Sequence, residues 1–407
     1  MAKPVGPICN LNCEYCFYLE KKALFGGARL DDFRMSDRVL EHYIRKYIGS
    51  QSIPIISFVW QGGEPLLAGL GFYRKAVALQ KKYADGKTIC NSIQTNATLL
   101  DDRWCEFLKE HNFLVGVSID GPQSCHDRYR KDTGGKGSFD RAMRGLSLLQ
   151  KHGVDYNVLV CVAKETSQNP LETYRFFRNH GVRYLQFTPV VERLPDKEAA
   201  RLRLHNAAPH ADGAAVTEWT VDPAAYGAYL IAIFDEWVHH DVGSMFVMNF
   251  EWALAAWLGL ESSACIFSEQ CGGCAIVEHN GDVYACDHYM YPAYRIANIL
   301  QQVPGHFMHS PQQLKFGAQK RALPVHCQSC EVLFACRGEC PRHRFAAFAP
   351  GESGRSYLCE GYRAFFRHIH PYMKGMCQLL ENGLPVTDIM TLQKHPIAVI
   401  QTGSAQK

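Results

Sequence analysis

Between residues 53 and 190, β-rich runs alternate with segments of helical spacing, and this alternation limits the possible folds more than any other feature of the chain. The runs are IPIISFVW (53–60), TICNSIQT (88–95), FLVGVSID (113–120), YNVLVCVA (156–163) and RYLQFTP (183–189). Between them lie FYRKAVALQKKYA (72–84), DDRWCEFLKEH (101–111), SFDRAMRGLSLLQKHG (138–153) and NPLETYRFFRNHG (169–181). Ser138 and Asn169 stand at N-cap positions, and Gly153 and Gly181 stand where helices stop. Repetition of strand, helix and strand predicts a parallel sheet with βαβ crossovers. A short strand ahead of Cys9 brings the units to six. That is too few for a closed eight-fold barrel and suits a partial, TIM-like (β/α)6 barrel of the α/β class.

Residues 192–222 are polar, Ala-rich and weakly periodic, which predicts a surface excursion, lid or domain junction. Asp222 and Pro223 read as N-cap and first turn of a helix over PAAYGAYLIAIFDEWVHHD, and MNFEWALAAWLG (248–259) is also helix-like. From Cys265 onward the runs shorten, and Cys and Gly multiply. In AIVEHNGDVYAC the Asn280-Gly281 pair predicts a hairpin with a two-residue turn. The expected division is 1–191 as barrel, 192–260 as linker and helical connector, 261–375 as a small Cys-rich α+β domain, and 376–407 as a tail.

Of 407 residues, 47% are apolar and 20% charged, and the formal net charge is +3. This is the balance of a well-cored globular protein, with no basic tract for nucleic acid. No apolar run reaches the ~18–20 residues of a membrane span, and MAKPVGPICNLN lacks the apolar stretch of a signal peptide. A cytoplasmic protein with no nucleic-acid or membrane partner is expected. Seventeen cysteines are then anomalous. In a reducing compartment, clustered cysteines indicate metal or redox chemistry rather than disulfides. The scattered Cys90, Cys105, Cys125, Cys161 and Cys377 read as buried small apolar residues.

Cys9, Cys13 and Cys16 offer three thiols at the spacing C-x3-C-x2-C. A closed zinc site and a cubane iron–sulfur cluster each want four ligands. Either a fourth ligand lies elsewhere, or one metal position stays open for chemistry. One βα unit later, in WQGGEPLL, Gly62 and Gly63 permit close backbone approach, and Glu64 offers an acceptor for a ligand's ammonium group. Gln94, Asn96, Ser118 and Asp120 end the third and fourth strands, so four polar strand ends face the same barrel mouth. The later cysteines read Cys265-x5-Cys271-x2-Cys274, then Cys286, then Cys327-x2-Cys330-x5-Cys336-x3-Cys340-Pro341, then Cys359. Cys327, Cys330, Cys336 and Cys340 would suit one zinc ion, but nine cysteines exceed what one zinc needs. A run ending C-x3-C-P also occurs in two-cluster ferredoxins, where its last Cys serves the other cluster.

The triplet with Tyr15 before its last Cys, followed by GGEP, resembles the radical S-adenosylmethionine enzymes. The resemblance implies that Cys9, Cys13 and Cys16 hold a [4Fe-4S] cluster whose open iron takes S-adenosylmethionine. Reductive cleavage then releases a 5′-deoxyadenosyl radical. The later cysteines resemble the SPASM domain. They imply one auxiliary [4Fe-4S] cluster on Cys265, Cys271, Cys286 and Cys340 and another on Cys327, Cys330, Cys336 and Cys359, with Cys274 outside the pattern. Three clusters result, and the two auxiliary ones, being fully ligated, favour electron transfer. CNLNCEYCFYLEK, FVWQGGEPLLAGLGFY, SIQTNATLLDD, HDRYRKD, LQFTPVVER and EHNGDVYACDHY, spread over nearly the whole chain, resemble the anaerobic sulfatase-maturating enzymes. These oxidise one Cys or Ser of a sulfatase to Cα-formylglycine.

That resemblance implies Asp287 as the base, beside the first auxiliary cluster. It implies Tyr15, Gly62, Gly63, Glu64, Gln94, Asn96, Ser118, Arg130 and Val191 around S-adenosylmethionine, with Arg128 as the alternative to Arg130. Tyr18 and Gln61 are expected to meet the peptide. The implied partners are an unfolded or nascent sulfatase carrying a Cys/Ser-x-Pro/Ala-x-Arg loop, and a low-potential donor such as flavodoxin or ferredoxin. Two other readings compete. A SPASM-type maturase of ribosomal peptides would form crosslinks or thioethers, and a start almost at the cluster motif weighs against it. A non-catalytic zinc scaffold leaves GGEP without a role.

Overall fold

The computed structural model describes residues 1–392 apart from 28, 196, 202–203, 205–214 and 350–351. Six parallel strands lie side by side in chain order: β1 Ile55–Trp60, β2 Thr88–Thr95, β3 Phe113–Ser118, β4 Tyr156–Val162, β5 Tyr184–Pro189 and β6 Phe246–Val247. Helices Leu70–Tyr83, Asp102–Glu110, Phe139–Lys151 and Pro170–Asn179 make the crossovers between β1 and β5. The sheet does not close on itself, so this is a partial α/β barrel. Ile56, Phe58 and Trp60 bury one face of β1, while Ile55 of the same strand is exposed, the period-two pattern of a strand with one covered face.

Two expectations about the strands change. Ahead of Cys9 there is no strand, only single bridges from Ala2 to Trp60 on the barrel and to Val277 on the Cys-rich domain. Pro4 and Pro7 lack the N–H groups that a longer ladder needs. The sixth strand is instead β6, from the stretch read as helical connector, where the Phe246 N–H donates to the Arg183 carbonyl at 2.7 Å.

Asp222 caps helix Pro223–His240 as expected, its carboxylate accepting from the Ala225 N–H at 2.9 Å. Ser138 and Asn169 occupy N-cap positions, but neither side chain caps its helix; the Ser138 hydroxyl donates to the Arg130 carbonyl instead. Gly153 and Gly181 end their helices in the left-handed region, as read. Of the scattered cysteines, Cys105, Cys125 and Cys377 are buried and Cys161 is half-buried, whereas Cys90 faces outward from β2 and is exposed. Of the excursion expected over 192–222, residues 196, 202–203 and 205–214 lie outside the described residues, as does the tail beyond 392; the described part carries a short helix, Lys197–Arg201, and a bridge between Arg193 and Val216.

In the Cys-rich domain, β7 Ile276–Val277, β8 Asp282–Tyr284 and β9 Arg295–Asn298 form an antiparallel sheet. The hairpin turn is longer than two residues. Gly281 N–H donates to the Glu278 carbonyl, and Glu278 N–H donates to the Asp282 carbonyl, both at 2.8 Å. With Gly281 at φ +87°, this is a three-residue loop closed by a glycine bulge. Helix Cys359–Glu381 runs through the boundary expected at 375 and lies on helix Pro223–His240. Gly361 and Gly227 meet at that crossing, where a Cβ on Gly361 would stand 2.0 Å from the Pro223 carbonyl oxygen. Nothing larger than glycine fits there.

Candidate active site

The loop that carries the first three cysteines is held against the strand ends by the turn after β1. Gly63 N–H donates to the Gly6 carbonyl at 2.8 Å and Glu64 N–H to the Ile8 carbonyl at 2.9 Å. A Cβ at Gly63 would lie 1.9 Å from the Ile8 oxygen, so only glycine permits this contact. From the other side, the Asn96 amide donates to Asn10 at 2.9 Å and approaches the Cys9 sulfur at 3.7 Å, and the Asn10 amide donates to Thr98 at 2.8 Å. Cys9, Cys13 and Cys16 thereby open into a cavity of about 360 Å³ at the C-terminal ends of the strands. Gln94 and Ser118, joined by a 2.9 Å hydrogen bond, line its barrel side together with Val191.

Opposite the triplet, Asp287, His288, Cys340 and Arg342 line the same cavity from the Cys-rich domain. Asp287 is ion-paired with Lys3, whose ammonium is buried, lies 4.2 Å from the centre of the Tyr18 ring and donates to Gln61 at 3.4 Å. Burial alone would push the Asp287 carboxyl up, but the Lys3 charge holds it below the ordinary aspartate value. His288 stacks on Phe17 with ring centres 4.8 Å apart, and its Nδ1 accepts from Arg342 at 3.1 Å. Burial, reinforced by the Arg342 charge, pushes its pKa down to about 3. Arg342 is in turn ion-paired with Glu192 of the barrel, both nearly buried, so one charge pair ties the two halves of the cavity together.

Residues 4–177 match the radical SAM superfamily model, and residues 265–331 match an iron–sulfur cluster-binding (SPASM) domain. A serine-type anaerobic sulfatase-maturating enzyme of Bacteroides thetaiotaomicron is 47% identical over 395 residues, 97% of this chain and 94% of that protein. The chain belongs to the anaerobic sulfatase-maturating enzymes. A cysteine-type enzyme of Clostridium perfringens is 30% identical over 91% of this chain and 96% of its own length. A solved structure described as native anSMEcpe with bound AdoMet and Cp18Cys peptide superposes with a TM-score of 0.81 at 29% identity, covering 93% of this chain and 98% of that one. The chain is thus a radical S-adenosylmethionine oxidoreductase that matures sulfatases, with S-adenosylmethionine and iron–sulfur clusters as cofactors. The peptide-maturase and zinc-scaffold readings fall with this finding. Among the described residues, no three His, Cys, Asp or Glu side chains are set to hold a single metal ion.

The thiols of this maturating enzyme fit clusters well. Burial, followed by the Glu64 charge, pushes Cys9 up to about 12, and burial likewise raises Cys13 and Cys16, which also repel one another as thiolates. A cationic iron centre relieves that cost, because thiolates bind metal. Cys340 lies near enough to Cys271 and Cys265 to feel their charge, and Cys286 to feel that of Cys340 and Cys265, which places these four together, with Cys274 also beside Cys265. Cys265, Cys271 and Cys286 line a second cavity, of about 920 Å³, and Cys340 faces the first. Cys274 also borders the second cavity. Cys336 neighbours Cys359 and Cys327, and Arg363 lies beside Cys330 and Cys359, which gathers the other four.

Several expected contacts sit differently. Glu64 is buried below the cavity, and its carboxylate accepts from Leu66 N–H, the Thr95 hydroxyl and Asn96 N–H at 2.8–3.0 Å, which commits it to closing the turn rather than to a ligand's ammonium. Tyr18 lies behind the cavity wall, with its hydroxyl donating to buried Glu278, while Gln61 does line the cavity. Arg130 reaches the cavity, but its guanidinium makes a two-point ion pair with Asp120, at 2.8 and 3.0 Å. Tyr15 lines the cavity and donates to the same Asp120. Arg128 points away, paired with Glu14 at 3.0 Å. Lys3, His288, Glu192 and Arg342 were missed. The only sequence signal was a lone lysine in the apolar start and a run of charged residues beside ligand-spaced cysteines.

Proposed function

We propose that this enzyme oxidises a serine side chain in a sulfatase's active-site loop to Cα-formylglycine, with Asp287 as the base. The observation that carries this reading is that Asp287, next in sequence to Cys286, opens into the same cavity as Cys9, Cys13 and Cys16. When bound, the cofactors supply a 5′-deoxyadenosyl radical, generated at the cluster held by Cys9, Cys13 and Cys16, and accept the electron that the oxidation releases. The protein's part is to hold the peptide's Cβ toward the triplet and its hydroxyl toward Asp287, which takes the proton. The ligand sets are those grouped above: Cys265, Cys271, Cys286 and Cys340, and Cys327, Cys330, Cys336 and Cys359. Tyr15, Gly62, Gly63, Gln94, Asn96, Ser118, Arg130 and Val191 surround S-adenosylmethionine, and Gln61 meets the peptide. Glu64 and Tyr18 support the walls of the site from behind. A serine-type preference is supported by the 47% identity to the serine-type enzyme against 30% to the cysteine-type one.

The substrate is an unfolded or nascent sulfatase chain, because the side chain must enter a cavity of about 360 Å³. A flavodoxin or ferredoxin is the electron donor, and the compartment is the cytoplasm. None of the described helices is long and apolar enough to cross a membrane. The test is an anaerobic assay of reconstituted enzyme, S-adenosylmethionine and dithionite with peptides carrying Ser-x-Pro-x-Arg or Cys-x-Pro-x-Arg. Mass spectrometry and hydrazide trapping would detect an aldehyde at the target residue, lost in Asp287→Asn while 5′-deoxyadenosine still forms. Intact peptide beside 5′-deoxyadenosine would refute the substrate assignment.

A further inference from the structure

The geometry points to His288 as a second catalytic residue, whose Nε2–H donates to the oxygen of the substrate side chain and so favours serine over cysteine. Arginine has only N–H donors, so the 3.1 Å contact between Arg342 Nη1 and His288 Nδ1 makes Nδ1 the acceptor. The ring is then neutral and carries its single proton on Nε2. Arg342 cannot swing away, because its other end is ion-paired with Glu192 and its guanidinium lies 5.6 Å from the centre of Phe17. Phe17 also stacks on the imidazole, fixing its plane. Among the described residues Nε2 has no hydrogen-bond partner and is not sealed from solvent, and His288 lines the cavity beside Asp287. A fixed donor thus stands free where the side chain must present its oxygen.

This inference rests on the reading of Asp287 as base. The Cβ hydrogen goes to the 5′-deoxyadenosyl radical, the O–H proton to Asp287 and one electron to the cofactor, leaving a C=O double bond; His288 neither gains nor loses a proton. Its N–H stabilises charge that builds on oxygen as the proton leaves. Sulfur is a weak acceptor, so a thiol gains little from the same donor.

The experiment compares wild type, His288→Phe, His288→Gln and Asp287→Asn on the serine and cysteine peptides, scoring kcat, KM, iron content and aldehyde formed per 5′-deoxyadenosine. Phenylalanine keeps the stack on Phe17 and removes the donor; glutamine returns an N–H near the Nε2 position. With iron retained, His288→Phe is expected to lower kcat on the serine peptide about 100- to 1,000-fold with little change in KM, the size of one lost transition-state donor. Aldehyde per 5′-deoxyadenosine falls with it, the cysteine peptide loses less than about 3-fold, and His288→Gln recovers much of the loss. Equal losses on both peptides, no recovery in His288→Gln, iron loss in both variants or unchanged serine turnover would each overturn the inference. The base assignment fails separately, if Asp287→Asn keeps normal coupling.

Discussion

Lys3 and Asp287, 284 positions apart in the chain, form an ion pair with the ammonium buried at 1% exposure and the carboxylate at the edge of the cavity. The pair is made by the first few residues, which bridge the barrel edge through Ala2–Trp60 and the hairpin through Ala2–Val277. The role of base proposed above for Asp287 requires a fixed orientation in a partly buried place, which the Lys3 pair provides. Lys3→Met is expected to keep 5′-deoxyadenosine formation while aldehyde per 5′-deoxyadenosine drops about 10-fold or more. Unchanged coupling in that variant would remove Lys3 from the machinery.

Arg130 and Asp120 form a buried two-point charge pair at the barrel mouth, and Asp120 also accepts from Cys161 N–H at 2.9 Å and from Tyr15. Arg130→Met leaves that carboxylate without its counter-charge and is expected to cost about 3–5 kcal/mol of stability. Arg130→Lys should recover less than half, since a point charge cannot make the two parallel bonds. Anaerobic urea unfolding of the two variants checks the order.

Gly63→Ala puts a methyl group on the Ile8 carbonyl, which must move the loop carrying Cys9. The expected result is loss of the iron held by Cys9, Cys13 and Cys16, and with it of S-adenosylmethionine cleavage. Iron on the cysteines after 264 should remain. Iron analysis together with the visible spectrum decides this, and full iron content would show that the loop yields.

His126 gives a pH dependence whose sign follows from its burial. Burial, with the Arg130 charge adding to it, pushes this histidine down to about 4, and its ring stays neutral between the Asp120 N–H and the Ser138 hydroxyl. The unfolded chain binds a proton near 6.5 and the folded one only near 4. Stability from this group is therefore complete above about 6.5 and is lost as pH falls toward 4, on the order of 3 kcal/mol in all. Anaerobic thermal denaturation between pH 7.5 and 5 should show a shallower decline for His126→Gln than for wild type. Parallel curves would assign the acid loss to other groups.

Much of the scaffold was legible in the chain. Strand β2, Thr88–Thr95, has the limits its β-rich run gave, and Asp222 caps the helix it precedes. Both signals are local: side-chain alternation and a carboxylate three residues ahead of an N–H. The cap assigned to Ser138 failed because a non-local contact outbid a local one, its hydroxyl turning to the Arg130 carbonyl; Asn169 holds the N-cap position without a side-chain bond to its helix. The missing first strand and the added β6 have the same cause. Two residues can join a sheet whenever an edge is waiting for them, which no periodicity records.

The site divides along the same line. Cysteine spacing, GGEP and Asp287 after Cys286 are written in consecutive residues, because sulfur ligands on one loop must reach one cluster. Which carboxylate is free and which is spent is not written there. Glu64 reads as a ligand contact and closes its own turn, while His288, Glu192 and Arg342 read as ordinary residues and line the cavity, and Lys3 holds Asp287 from behind. A side chain's chemistry is set by its partners. Here Asn96 is 32 positions from Glu64, Arg342 is 54 from His288 and 150 from Glu192, and Lys3 is 284 from Asp287, and these are brought together only in the tertiary structure.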